Sequence, residues 1–173
     1  MKAVFPVLLL FLICFSAAAQ QPTNGSTEAN ALAEVREMRT ALLLVFKSRV
    51  IDVTDRERAI IQDVLKADPK PAARYRWVYN VIAQKLNKYI RKYRSLYPAN
   101  DLADADYVIY FNVVEFRRIL YSYYPYGELF VIVKGSPENL KPPRVVWRTK
   151  KMLFAEDAID DLIKDLKMLR GEG

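Results

Sequence analysis

The chain has 173 residues, of which 52% are hydrophobic and 27% are charged, and its formal net charge is +7. It contains no histidine and a single cysteine. Catalytic sites in which histidine activates a serine or cysteine are therefore excluded, a zinc site would need carboxylates alone, and the few glycines form no phosphate-binding loop.

The first twenty residues have the pattern of a secretory signal peptide. Lys2 precedes an apolar run over residues 3–15, and the small residues 16–19 follow it. The run is about thirteen residues long, whereas a membrane span needs roughly 20, so cleavage after Ala19 or Gln20 is favoured over a retained anchor. Cys14 lies inside the run without the small preceding residue of a lipoprotein motif. We therefore predict a periplasmic or secreted protein without cysteine and without a transmembrane span.

The rest of the chain has the length of one ordinary domain. Residues 21–37 are predicted to form a polar tether or short helix, and residues 38–171 a single domain. In chain order the predicted elements are a strand over 38–46, helices over 54–67 and 73–97, strands over 107–120, 128–134 and 144–154, and a helix over 155–170.

Periodicity and charge support the helices. Thr54 is a candidate N-cap with Glu57 three residues later. In 73–97 the apolar residues, with Tyr97 as the last of them, fall within an arc of about 120°. In 155–170 acidic residues come early and basic residues late, which complements the helix dipole. The closely spaced strands favour an antiparallel meander. The predicted fold class is α+β, a mainly antiparallel sheet (meander plus an earlier strand) with amphipathic helices packed on one face.

Two groups of residues are candidates for binding. Lys85, Lys88 and Lys92 lie within about 60° along one flank of the second helix, with Arg91 on its back, and could contact an anionic surface or simply form a solvated face. The tyrosines around Pro125, predicted to lie on a loop between two strands, could bind sugars or a partner or pack at a sheet end; they are Tyr121, Tyr123, Tyr124 and Tyr126.

The carboxylates give one further candidate. Asp101, Asp104 and Asp106 cluster in a polar turn before a strand, where they could hold an ion, although the turn itself explains them. Paired carboxylates could also support hydrolysis of a glycan. No metal, cofactor or nucleic acid is expected.

The segment from the second helix onward resembles a broad group of uncharacterised bacterial envelope proteins. The matching stretches are residues 105–109, 127–133 and 144–148, the last with the sequence Arg-Val-Val-Trp-Arg. The layout over residues 38–171 is similar to the amino-terminal domain of the Tol-system propeller protein and to curli-assembly lipoproteins. The resemblance implies a non-enzymatic envelope role and transfers no catalytic residues.

The expected function is therefore a binding or scaffolding module. Its partner is expected to be an anionic envelope surface or another envelope protein. Two alternatives stay open: a carboxylate-dependent hydrolase acting on an envelope glycan, and a subunit of an envelope assembly that pairs through a strand edge.

Overall fold

The computed structural model describes residues 31–48, 55–135 and 141–173, so the predicted signal peptide and the first part of the predicted tether lie outside the described residues. The elements in chain order are a 3-10 helix (Ala33–Arg36), β1 (Thr40–Phe46), α1 (Arg56–Leu65), a second 3-10 helix (Ala73–Tyr75), α2 (Arg76–Tyr93), β2 (Tyr97–Pro98), β3 (Tyr107–Ile119), β4 (Ser122–Val133), β5 (Arg144–Arg148), β6 (Leu153–Phe154) and α3 (Ala155–Arg170).

The six strands form one mixed sheet in the order β2-β1-β3-β4-β5, with β6 added beside β4. β1 runs parallel to β2 and to β3, whereas the pairs that β4 makes with β3, β5 and β6 are antiparallel. The predicted α+β class, with a mainly antiparallel sheet, is confirmed. In the described parts of the chain, none of the helices has the length and hydropathy needed to cross a membrane.

Both faces of the central strands are buried, because β1, the first half of β3 and the second half of β4 are mostly apolar at successive positions. On one face, residues such as Leu43 and Ile109 pack with Ile82 of α2 and Leu162 of α3. The helices on this face agree with the predicted packing. α1 departs from it, since Ile60 and its neighbours cover the opposite face together with other apolar side chains: Leu42, Leu44, Val108, Tyr110 and Ile132.

α3 has its predicted limits, whereas α1, predicted over 54–67, spans only Arg56–Leu65. The N-cap of α1 is Asp55, whose carboxylate accepts from the N–H of Arg58 at 3.2 Å; the predicted cap, Thr54, lies outside the described residues. α3 spans Ala155–Arg170 as predicted and ends at Gly171 with φ 67°.

α2 is shorter than its predicted range of 73–97. It ends at Tyr93, because Arg94 adopts a left-handed conformation with φ 54°. The chain then pairs with β1, where the N–H of Tyr97 donates to the C=O of Arg39 at 2.7 Å. Tyr97 was predicted on the apolar face of the helix, and it is instead 53% exposed in β2.

The last strands also differ from their predicted limits. β4 starts six residues earlier than predicted, at Ser122. The predicted strand 144–154 is split into β5 and β6. At the break, the Thr149 side chain accepts from the N–H of Leu129 at 3.2 Å, and the Thr149 N–H donates to the Leu129 C=O at 3.0 Å. These bonds replace regular pairing and let the chain turn towards α3.

Arg170, in the last turn of α3, joins the end of the domain to its start. Its guanidinium donates to the carbonyl oxygens of Val35 at 3.1 Å, Met38 at 2.8 Å and Ser95 at 3.0 Å. It forms no salt bridge within the described residues. Its terminal N–H groups donate to these carbonyls and to the hydroxyl groups of Tyr89 and Ser95, whereas its buried Nε has no partner among the described residues. The neighbouring Tyr107 is fully buried, and burial raises its pKa to about 12.

Candidate interaction surfaces

The far half of the β3–β4 hairpin projects beyond the rest of the sheet. β1 accompanies β3 only as far as Asn112, and β6 meets β4 only at Tyr126 and Gly127. Between Glu115 and Pro125 the described strands pair only with each other. This two-stranded ribbon exposes most of its side chains, whereas the preceding half of β3 is buried.

A close backbone approach marks the point where the ribbon leaves the sheet. The register shifts between Val113 and Glu115, as expected of a β-bulge, and Gly127 pairs with Val113. A Cβ atom at Gly127 would lie 2.0 Å from the carbonyl oxygen of Asn112. Only glycine fits at this position, so the close approach of β3 and β4 depends on it.

Aromatic contacts fix the base of the ribbon. The ring of Tyr124 meets Trp77 of α2 and Phe154 of β6 edge-on, with centroid distances of 6.4 Å and 6.2 Å. Tyr126 also contacts Phe154, at 5.4 Å, and the guanidinium of Arg117 lies 3.5 Å above the Tyr126 ring. The base is thus held against the body of the domain, as such aromatic pairs stabilise beyond the area they bury.

The end of the ribbon is apolar and exposed. We define the hairpin tip as Ile119, Leu120, Tyr121 and Tyr123, of which Leu120 is 83% exposed and Tyr121 92% exposed. Ile119 pairs with Ser122, so the turn contains only Leu120 and Tyr121. Leu120 has φ 55°, a left-handed conformation that bulky residues rarely adopt. Leu120 is therefore both exposed and held in a strained conformation.

The predicted tyrosine group is therefore divided by the structure. Tyr121 and Tyr123 are exposed at the tip, whereas Tyr124 and Tyr126 anchor the base. The prediction of a loop is wrong, because residues from Ser122 onward belong to β4. Pro125 did not prevent the strand, since it pairs with Phe116 in a ribbon whose outer edges are free. Sequence reasoning also missed Leu120, which has no aromatic ring or charge to mark it.

The predicted basic residues line a groove between α2 and α3. Lys85, Lys88, Arg91 and Lys92 all border a groove of about 1320 Å³. α3 contributes Lys167 and Asp160, which sequence reasoning missed because only packing of the two helices brings them here. Lys85 pairs with Asp160 at 2.5 Å. Lys92 and Lys167 lie 4.9 Å and 5.6 Å from the centre of the Tyr93 ring. The groove is therefore positively charged, though part of that charge is already engaged.

In the predicted aspartate turn, the carboxylates of Asp101 and Asp106 accept hydrogen bonds from backbone N–H groups. The carboxylate of Asp106 accepts from the N–H groups of Arg39 and Thr40, both at 2.8 Å, and Asp101 accepts from the N–H of Asp104 at 3.0 Å. Burial tends to raise the pKa of Asp106, but the hydrogen bonds from Thr40 and Arg39 outweigh it, and the pKa is lowered. Across residues 31–48, 55–135 and 141–173, no three metal-ligating side chains are grouped to hold an ion.

The edge strands of the main sheet are relevant to the alternative function, in which the chain pairs with an envelope assembly through a strand edge. β2 has two residues and ends at Pro98, and β5 has five and begins at Arg144, which is paired with Glu34. Short edges with proline or charge resist pairing with other chains. The longer uncovered edges belong to the projecting ribbon.

No protein-family model, curated protein or solved structure matches the chain. The resemblance to envelope proteins therefore stays a prediction.

Proposed function

We propose that this chain is an exported, non-catalytic binding module of the bacterial cell envelope, which contacts its partner through the β3–β4 hairpin. The observation that carries the proposal is the hairpin tip, where Leu120 and Tyr121 are almost fully exposed at the end of a ribbon. Single exposed apolar residues are common on proteins, but adjacent ones on a projecting element are typical of interaction sites.

Two further features support a binding role for this element. The conformation of Leu120 costs stability that glycine would avoid, and strain of this kind is retained where a side chain is needed. The base is held rigidly by Trp77, Tyr124 and Phe154. A rigid base reduces the ordering entropy that a flexible loop would lose on binding.

The location is proposed from the leader. The stretch from Lys2 to Ala19 has the order of charge, apolar run and small residues that directs export. The predicted resemblance to envelope proteins implies the same location.

Fractionation of cells that express the full chain tests the proposal. We expect a product that starts after the leader and is retained on the washed envelope fraction. A Leu120→Ser, Tyr121→Ser variant should be released into the soluble periplasmic fraction. The matched control is Tyr97→Ser with Met168→Ser, which also replaces two exposed apolar side chains but lies outside the hairpin.

Two outcomes would contradict the proposal. Equal retention of the tip variant and the control would remove the hairpin as the binding element. An uncut product that begins at Met1 and remains in the cytoplasm would remove the exported role.

A further inference from the structure

We propose that the hairpin tip inserts shallowly into an anionic lipid surface, with Leu120 and Tyr121 among the acyl chains and the neighbouring arginines at the phosphate groups. This inference rests on the proposed function and names the partner of the same element. It commits to a lipid surface rather than to a protein or a second copy of the chain.

The size of the tip favours a membrane over a protein partner. Its four side chains expose on the order of 500 Å² together, taking 150 to 250 Å² for a large side chain. A stable protein interface buries about 800 Å² on each partner. The tip is also convex, because a two-residue turn closes the ribbon. A fluid bilayer accommodates a small convex apolar point without a matching pocket.

The order of residues behind the turn matches the layers of a membrane interface. Arg118 pairs with Tyr123 and Arg117 with Tyr124, two and three residues behind Leu120. At about 3.3 Å per residue, the Cα atoms of Arg118 and Arg117 lie roughly 7 to 10 Å behind the apolar turn. The Arg118 side chain extends forward to the turn, whereas Arg117 lies over the Tyr126 ring and is paired with Glu115 at 2.5 Å. Apolar side chains of interfacial segments reach about 5 to 10 Å into the headgroup boundary. Tyrosine is also enriched at this level.

The turn satisfies one of its own polar groups before insertion. The Nε–H of Arg118 donates to the carbonyl oxygen of Leu120 at 3.1 Å. This bond holds the Arg118 guanidinium beside the backbone of the turn, so the backbone lies at the level of the phosphate groups and only the side chains of Leu120 and Tyr121 reach the acyl chains. The other N–H groups of Arg118 point to no acceptor in the described residues and can donate to phosphate oxygens.

The basic groove can attract an anionic lipid surface independently of the hairpin tip. Trp77 contacts the base of the ribbon, and the groove lysines begin at Lys85 and reach Lys92 on the same helix. At 1.5 Å per residue, they lie about 12 to 22 Å farther along α2. General attraction of a cationic protein by the groove can therefore be tested apart from insertion of the tip.

Vesicle binding by the exported form of the protein tests the inference. We expect binding to vesicles of phosphatidylglycerol and phosphatidylethanolamine, and weaker binding to phosphatidylcholine vesicles. Leu120→Ser with Tyr121→Ser should weaken binding about tenfold or more, since both apolar anchors are lost. Tyr97→Ser with Met168→Ser should bind as the parent protein does. In a Tyr121→Trp variant, lipids brominated on the acyl chain should quench the new fluorescence above the background of the native tryptophans.

Several results would overturn the inference. They are an absence of vesicle binding, equal binding by the tip variant and its control, and binding lost only when Lys88, Arg91 and Lys92 are replaced by Glu. If vesicles fail but envelope retention still needs the tip and is destroyed by protease, the partner is a protein and the proposed function stands. Hairpin-dependent dimerisation in sedimentation equilibrium would instead identify a second copy as the partner.

Discussion

Leu120 offers a test in which the usual order of alanine and glycine should reverse. The left-handed conformation costs a residue with a Cβ atom about 1 to 2 kcal/mol, and φ at Leu120 is 55°. Glycine avoids this cost but loses more chain entropy on folding, by roughly 0.5 to 1 kcal/mol relative to alanine. We therefore expect Leu120→Gly to be more stable than Leu120→Ala by about 0.5 to 1 kcal/mol.

The neighbouring residue supplies the control. Leu120 and Arg94 are the non-glycine residues with positive φ in the described part of the chain, so Tyr121 lacks this strain although it is equally exposed. Tyr121→Ala should accordingly be at least as stable as Tyr121→Gly. The absolute change from the parent protein should be small in all four variants, because both side chains make few contacts with the rest of the domain.

Urea denaturation followed by circular dichroism measures these differences through the transition midpoint at constant slope. A domain of this size should also shift its Tm by about 3 to 5 °C per kcal/mol. If Leu120→Ala were the more stable variant, the turn would not be strained. If both substitutions at Leu120 cost more than about 1 kcal/mol, its side chain would be packed and the tip would not be free to bind.

Three further substitutions test the body of the domain. Gly127→Ala should lower the free energy of unfolding by more than about 2 kcal/mol, because its Cβ would collide with a backbone carbonyl, and an unchanged urea midpoint would contradict the bulge geometry. Arg170→Met should cost about 2 to 4 kcal/mol in urea denaturation, since several buried carbonyls lose their donor; a loss below 1 kcal/mol would show that water replaces it. Asp106→Ala should cost about 1 to 2 kcal/mol at neutral pH, because two backbone N–H groups lose their charged acceptor. Because folding lowers the pKa of Asp106, its contribution is present above the unfolded pKa of about 3.9 and is lost as pH falls through the folded pKa. Thermal unfolding at several pH values should show the two proteins converging in acid, and a constant difference would refute this role.

Local signals predicted the helices better than the strands. The limits of α3 follow from its charge order and from Gly171, which are properties of neighbouring residues. The end of α2 was predicted four residues too late, because Tyr97 continues the apolar arc. What ends the helix early is pairing of residue 97 with β1, a contact between residues far apart in the chain.

The candidate surfaces were likewise predicted where neighbouring residues define them and missed where they depend on contacts between distant parts of the chain. Helical spacing was enough to group Lys85, Lys88 and Lys92, but the opposite wall of the groove comes from another helix. The tyrosines were recognised by type, whereas their division between base and tip depends on strand register. Leu120 was missed, since nothing in a leucine between Ile119 and Tyr121 indicates that it is exposed in a turn.

The parallel pairing of β1 with β3 has a consequence for the order of folding. Ala41 is paired with Tyr107, 66 positions away, while the turn of the β3–β4 hairpin brings its strands together locally. Closing a long loop costs entropy before any contact compensates for it, so the hairpin can assemble well ahead of β1. Until β1 docks, the inner half of β3 has an unpaired strand edge that is prone to aggregation. Nascent chains would benefit from a chaperone during that interval.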